Sequence, residues 1–209
     1  MTSAVESAIT FFIQMVIIVD PVVAMPVLLA ITPRNTPQER RSMAWRGCAA
    51  AFLLSGFFLL AGPAFLLRFG IGPPAVLITG GLLLFLIALE MLYGRMTGTG
   101  TTPREERLAE ERTDVSLFPL AFPVLAGPGA VVTCLIFAAQ APALEQRLVL
   151  LLASVVVFLL TYLILARSEL VMKIIGSLGV SIATRIMGLL LALLAVQYVI
   201  TGSAAILGG

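Results

Sequence analysis

Apolar residues run through this chain in long blocks that charges interrupt only at intervals. Cutting at the charges leaves uncharged stretches at 47–67, 69–89, 115–144, 148–166 and 186–209, and a sixth, 7–33, is broken only by Asp20. Each reaches or approaches the roughly 20 residues a helix needs to cross a hydrocarbon core. The pattern therefore predicts an all-α, polytopic membrane protein with six transmembrane helices. Composition agrees: with 60% hydrophobic and only 11% charged residues among 209, the chain has more apolar surface than one soluble core could hide. The lipid bilayer is the first partner this implies.

The basic residues predict orientation, because cytoplasmic loops retain Lys and Arg. Arg34, Arg40, Arg41 and Arg46 fall between spans one and two, Arg95, Arg104, Arg107 and Arg112 between three and four, and Arg167, Lys173 and Arg185 between five and six. These loops hold eleven of the thirteen cations, and the other side has only Arg68 and Arg147. Both termini are expected on the non-cytoplasmic side. The net charge of +2 thus reports topology and gives no reason to expect a nucleic-acid partner. The first segment has neither a cationic leader nor a small-residue cleavage site, so it reads as part of the mature chain. Cys48 and Cys134 lie inside spans with no metal-ligand spacing and read as packing residues. The polar stretch 97–114 reads as a solvated connector.

Laying the second half on the first at an offset of 107 residues brings out internal similarity without a gap. Phe11 meets Phe118, Pro21 meets Pro128, Gly72 meets Gly179, Gly81-Leu82-Leu83-Leu84 meets Gly188-Leu189-Leu190-Leu191, and Ala88 meets Ala195. Apolar matches come easily in a membrane protein; prolines and glycines coinciding at both ends of a unit do not. One transmembrane domain, 1–209, is therefore read as repeat one at 1–95, a cytoplasmic linker at 96–114 and repeat two at 115–209. A unit of three spans places its second copy in the opposite orientation, giving inverted repeats.

The unusual chemistry falls in the first span of each copy. Ile18-Val19-Asp20-Pro21-Val22-Val23 and Leu125-Ala126-Gly127-Pro128-Gly129-Ala130 both carry a proline near mid-span. Proline removes a backbone donor and pushes the preceding residue out of helical geometry, so helices 1 and 4 are expected to break there. From Ser7 to Val19 a helix rises roughly 20 Å, which leaves Asp20 near the bilayer middle. Irregular backbone at that depth is tolerated only inside protein or beside a wet cavity. Asp20 followed by Pro21 also reads as a cap and first residue of a new half-helix, with Pro128 opening another. Two half-helix N-termini offer N–H donors to an anionic group, and Asp20 offers a carboxylate to a cation or proton. Together they suit a small zwitterion such as an amino acid.

Each piece also has a plainer reading. A lone membrane proline is commonly a kink, Asp20 serves as a cap, and Glu90 near the end of its span reaches the interface or pairs with an arginine. Gln14, Thr133, Gln140 and Gln197 fit interhelical hydrogen bonding, and small-residue faces serve packing within or between chains alike, assigning no oligomeric state. An intramembrane enzyme is disfavoured: the chain has no His, no Cys paired with a base and no second mid-span carboxylate near Asp20 in sequence.

At Asp20-Pro21 followed by Pro26, at Phe122-Pro123-Val124-Leu125-Ala126-Gly127-Pro128-Gly129 and at Arg185-Ile186-Met187-Gly188, the chain resembles the MarC family over nearly its whole length. The resemblance implies a six-span protein of the bacterial or archaeal inner membrane, in a family that includes SnatA-type neutral amino-acid transporters able to move glycine and alanine. It maps the family's two broken segments onto Asp20, Pro21 and Pro26 and onto Gly127, Pro128 and Gly129. Many relatives have glycine where this chain has Val23, a departure expected to shrink the pocket or leave the first break less unwound. The expected function is secondary transport of a small neutral amino acid or related zwitterion by alternating access. Substrate binding is expected at Asp20, Pro21, Val23, Gly127, Pro128, Gly129 and Thr133, and ion coupling at Asp20 and Glu90. No cofactor is expected beyond a proton or sodium as coupling ion. The competing expectations are a non-transporting structural or regulatory membrane protein and a permease for another small amphiphile.

Overall fold

The computed structural model of the chain describes residues 4–94 and 114–207, so all but Asp114 of the expected linker at 96–114 lies outside the described residues. In chain order the helices are α1 (Ala4–Val19), α2 (Pro21–Ile31), α3 (Pro37–Arg68), α4 (Pro73–Tyr93), α5 (Ser116–Leu125), α6 (Pro128–Gln140), α7 (Leu144–Leu165) and α8 (Ser168–Leu207). Among the described residues all regular structure is helical.

Prolines and caps set the boundaries. Pro21, Pro37, Pro73 and Pro128 each open a helix, where a missing N–H costs nothing. At α3 the Thr36 side chain accepts from the Glu39 N–H at 3.3 Å while the Glu39 carboxylate accepts from the Thr36 N–H at 2.8 Å, a reciprocal capping box. The end of α4 turns at Gly94, whose φ of 65° suits glycine. In α5 Pro119 and Pro123 sit beside the extended residues Phe118 and Phe122, and the coil is wide, with the Ala126 N–H reaching back five residues to the Ala121 carbonyl at 2.8 Å.

Among the described residues five apolar spans are long enough to cross a membrane, Val5–Ile31, Pro37–Arg68, Pro73–Tyr93, Leu144–Leu165 and Ser168–Leu207, and α5 with α6 makes a sixth if taken as one span bent by 59°. The last apolar stretch along the sequence begins at Ile186, but α8 is helical well before that, bending at Gly176 with φ 68° and then continuing through Arg185. A charge ends an apolar run; it does not end a helix.

The broken helices occupy the interior. Phe11, Met15, Met25 and Leu28 of α1 and α2 are fully buried with Leu120, Leu125, Cys134 and Ile136 of α5 and α6. Phe11 and Phe137 meet edge to face at 5.1 Å. Outside them, α3, α4, α7 and α8 expose residues such as Leu53, Phe57, Leu86, Leu152 and Leu193, which are stable only against lipid. The breaks at Asp20 and Gly127 thus sit inside protein, as a membrane requires of irregular backbone. Among the polar links between elements, Tyr198 of α8 donates to the Gln14 side chain of α1, and Arg46 pairs with Asp114 at 2.7 Å. The Ser116 hydroxyl and N–H hold the Asp114 carboxyl below the usual range, with Arg46 adding to the effect.

The neighbours repeat across the halves. Contact of α1 with α7 has its counterpart in α5 with α3, and α2 with α8 in α6 with α4, while α3 packs on α7 and α4 on α8. The α4–α8 contact is the most extensive. A Cβ on Gly81 would lie 2.6 Å from the Ala195 carbonyl, and one on Gly188 would lie 3.1 Å from the Ala88 carbonyl and 2.8 Å from the Met91 Cβ. Gly202 faces Pro74 and Leu77 in the same way, so the two helices run antiparallel. Without side chains at these points the backbones approach closely enough for dispersion to hold them in lipid.

Because backbone atoms cannot give way, Gly81→Val and Gly188→Val are each expected to lower stability by about 1–3 kcal/mol in detergent unfolding, the usual cost of overpacking. Gly72→Ala, whose Cβ would meet only Pro74 at 3.6 Å, is the control and should be near neutral.

Candidate functional site

Both helix breaks open on one cavity of about 330 Å³. From α1 and α2 come Ile18, Asp20 and Val23; from the second break, Gly127, Pro128 and Gly129. The far wall is α4 and α8, with Glu90, Gly94, Ser181, Thr184 and Arg185. Gly94, Ser181 and Arg185 are exposed while Asp20 is only 7% exposed, so the cavity runs from the surface at the end of α4 inward to the first break. Its size is at the small end of the about 300–1,000 Å³ typical of small-molecule sites.

Asp20 does two things at once. Its Oδ1 accepts from the Val23 N–H at 3.2 Å, capping α2, and it adopts φ 40° and ψ 72° to do so. That left-handed conformation is uncommon for a residue other than glycine, though aspartate tolerates it better than most. The helix ladder passes across the break through Asp20 itself, its N–H bonding to the Val16 carbonyl at 3.1 Å and its carbonyl accepting from Ala24 at 3.0 Å. The other carboxylate oxygen, Oδ2, is buried with no hydrogen-bond partner among the described residues. A cap needs one oxygen; the second is left for something else.

The second break is organised differently. No side chain caps α6, and its first intrahelical bond is from the Val131 N–H to the Gly127 carbonyl at 3.1 Å. The N–H groups of Gly129 and Ala130 precede that bond, at residues that line the cavity. Gly129 has little spare room: a Cβ there would come 3.0 Å from Ile87 Cδ1 and 3.2 Å from Ile18 Cγ2. The positive end of α6 thus opens on the cavity that Asp20 also lines.

Of the residues picked out in the sequence, Asp20, Val23, Glu90, Gly127, Pro128 and Gly129 all line this cavity. Pro21 is buried in the turn behind it, and Thr133 is fully buried outside the lining, its hydroxyl lacking a partner among the described residues. Ser181, Thr184 and Arg185 were not picked out as site residues. Arg185 stands at the cavity mouth on α8, where a charge-interrupted apolar pattern had put it in a loop.

The model of the family described as MarC family integral membrane protein matches residues 5–207. Among similar proteins, a UPF0056 membrane protein of Methanocaldococcus jannaschii is 36% identical over 185 residues, covering 88% of this chain and 90% of that protein. UPF0056 membrane proteins of Aquifex aeolicus and Archaeoglobus fulgidus are each 32% identical, covering 91% and 92% of this chain and 89% and 90% of theirs. No solved structure matches the chain.

Two substitutions separate the cap from the charge. Asp20→Asn keeps the capping oxygen and Asp20→Ala does not, while both remove the carboxylate. The alanine variant is therefore expected to unfold about 1 kcal/mol more easily than the asparagine variant in detergent denaturation. Equal stability would mean that the Val23 bond does not hold the break.

Proposed function

This chain belongs to the MarC family of multi-pass integral membrane proteins, and we propose that within it the chain is a secondary transporter of small neutral amino acids or closely related zwitterions. The observation that carries the proposal is that Asp20, whose buried Oδ2 has no partner among the described residues, lines the same cavity as the uncapped N-terminus of α6. A substrate ammonium pairs with Asp20, and its carboxylate takes the Gly129 and Ala130 N–H groups. Val23 and Gly129 limit the side chain to a small one.

The two halves act as inverted repeats. Support comes from helices that begin 107 residues apart, at Pro21 and Pro128 and at Pro37 and Leu144, and from antiparallel α4 and α8, which set Gly81 on Ala195 and Gly188 on Ala88. Repeats of this kind rock about a site near the midplane, exposing it to each side in turn. The cavity mouth by Gly94 and Arg185 is on the arginine-rich face, which the positive-inside rule assigns to the cytoplasm, with both termini on the other side of the bacterial or archaeal inner membrane. Asp20, helped by Glu90, couples movement of a proton or sodium to substrate when its affinity for that ion differs between the two states. The chain moves its ligand and does not transform it.

Uptake of labelled glycine and alanine into proteoliposomes tests this directly. Wild type is expected to accumulate one or both under a proton or sodium gradient, and Asp20→Asn to lose about tenfold or more of that uptake, as expected when a charge-assisted bond is removed. Wild type inert toward both amino acids under either gradient would reject the substrate class. Val23→Gly, by enlarging the cavity, is expected to shift preference toward larger neutral side chains, checked by competition with valine and leucine.

A further inference from the structure

A second cavity, of about 300 Å³, lies where the α2–α3 connection meets the α7–α8 junction. Its lining gathers Arg40, Arg41, Arg167 and Lys173, with Glu169 and the first residues of α8. Buried Arg40 is fully engaged: Nε donates to the Thr32 hydroxyl at 2.9 Å, one terminal nitrogen donates to the Thr32 carbonyl at 3.0 Å, and the other pairs with Glu169. That network ties the first connection to the start of α8 and uses the one carboxylate in the lining. Arg41, Arg167 and Lys173 are all exposed and, among the described residues, have no carboxylate partner. Three cations around one hollow repel each other and gain from a shared anion.

Two further observations identify the source of that anion. Trp45 and Tyr162 meet edge to face at 5.3 Å, and the Tyr162 hydroxyl accepts from Arg41 Nε at 3.0 Å. Tryptophan and tyrosine concentrate at the membrane–water interface, so this pair sets the hollow at headgroup depth. Flanking Lys173, Leu170 and Ile174 are well exposed, an apolar surface of use to an acyl chain and of none to a dissolved ion. We infer that this pocket binds the phosphate of an anionic phospholipid, with Arg41, Arg167 and Lys173 around the headgroup and the acyl chains along Leu170 and Ile174. Basic pockets between transmembrane helices bind such headgroups by charge, with the acyl chains remaining in the bilayer.

The chain has one tryptophan, and it stands beside this pocket, so Trp45 reports on it without labelling. In nanodiscs, phosphatidylglycerol with brominated acyl chains is expected to quench Trp45 at a lower mole fraction than brominated phosphatidylcholine. Arg167→Gln and Lys173→Gln are each expected to reduce that preference about fivefold, leaving quenching by phosphatidylcholine unchanged as the check on folding. Equal quenching by the two lipids in wild type would overturn the inference. So would a preference abolished by millimolar inorganic phosphate at constant ionic strength, which assigns the pocket to a free anion, or one that survives both substitutions, which puts the lipid elsewhere.

Discussion

A proline in the middle of an apolar span creates a debt of backbone hydrogen bonds that hydrocarbon cannot meet. At Pro21 the Asp20 carboxylate takes up the Val23 N–H and the ladder continues through the Asp20 backbone, so α1 and α2 run on as one span. At Pro128 no side chain steps in; the chain bends by 59° and leaves the α6 amides uncapped. Both breaks must be kept from lipid, and the rest of the architecture follows: the two breaks at the centre, apolar helices around them, and a cavity where the two segments come together.

The most extensive helix contact serves the same end. Antiparallel α4 and α8 approach through Gly81, Gly188 and Gly202 without intervening side chains, and together they form the wall opposite Asp20. Glu90 and Arg185 are carried on that wall. Any rearrangement of α4 against α8 therefore changes the cavity mouth while the Asp20 cap, built within one segment, stays intact.

Much of this was legible in the sequence because the chemistry of proline and of caps is local. Asp20-Pro21 and Gly127-Pro128 announce their helix starts from the residue types alone, and the spacing of 107 residues links them. The far wall was not legible. Which face of α8 meets the cavity depends on glycine packing between distant segments, and Ser181 and Thr184 look like ordinary helix residues in the sequence. Arg185 was misplaced for a different reason: an apolar count stops at a charge, while the helix continues past Gly176 and carries the arginine to the mouth. Thr133 shares a helix with Gly129 and yet is buried outside the cavity, a matter of side-chain direction that spacing near a break does not fix.

Accessibility at Val23 tests the central claim most directly, since Val23 lines the cavity and the native thiols of Cys48 and Cys134 are buried. In oriented vesicles, Val23→Cys should react with a charged, membrane-impermeant thiol reagent from the arginine-rich face, and millimolar alanine should slow the reaction. No reaction from either face, or a rate indifferent to alanine, would contradict a water-filled amino-acid site between the two helix breaks.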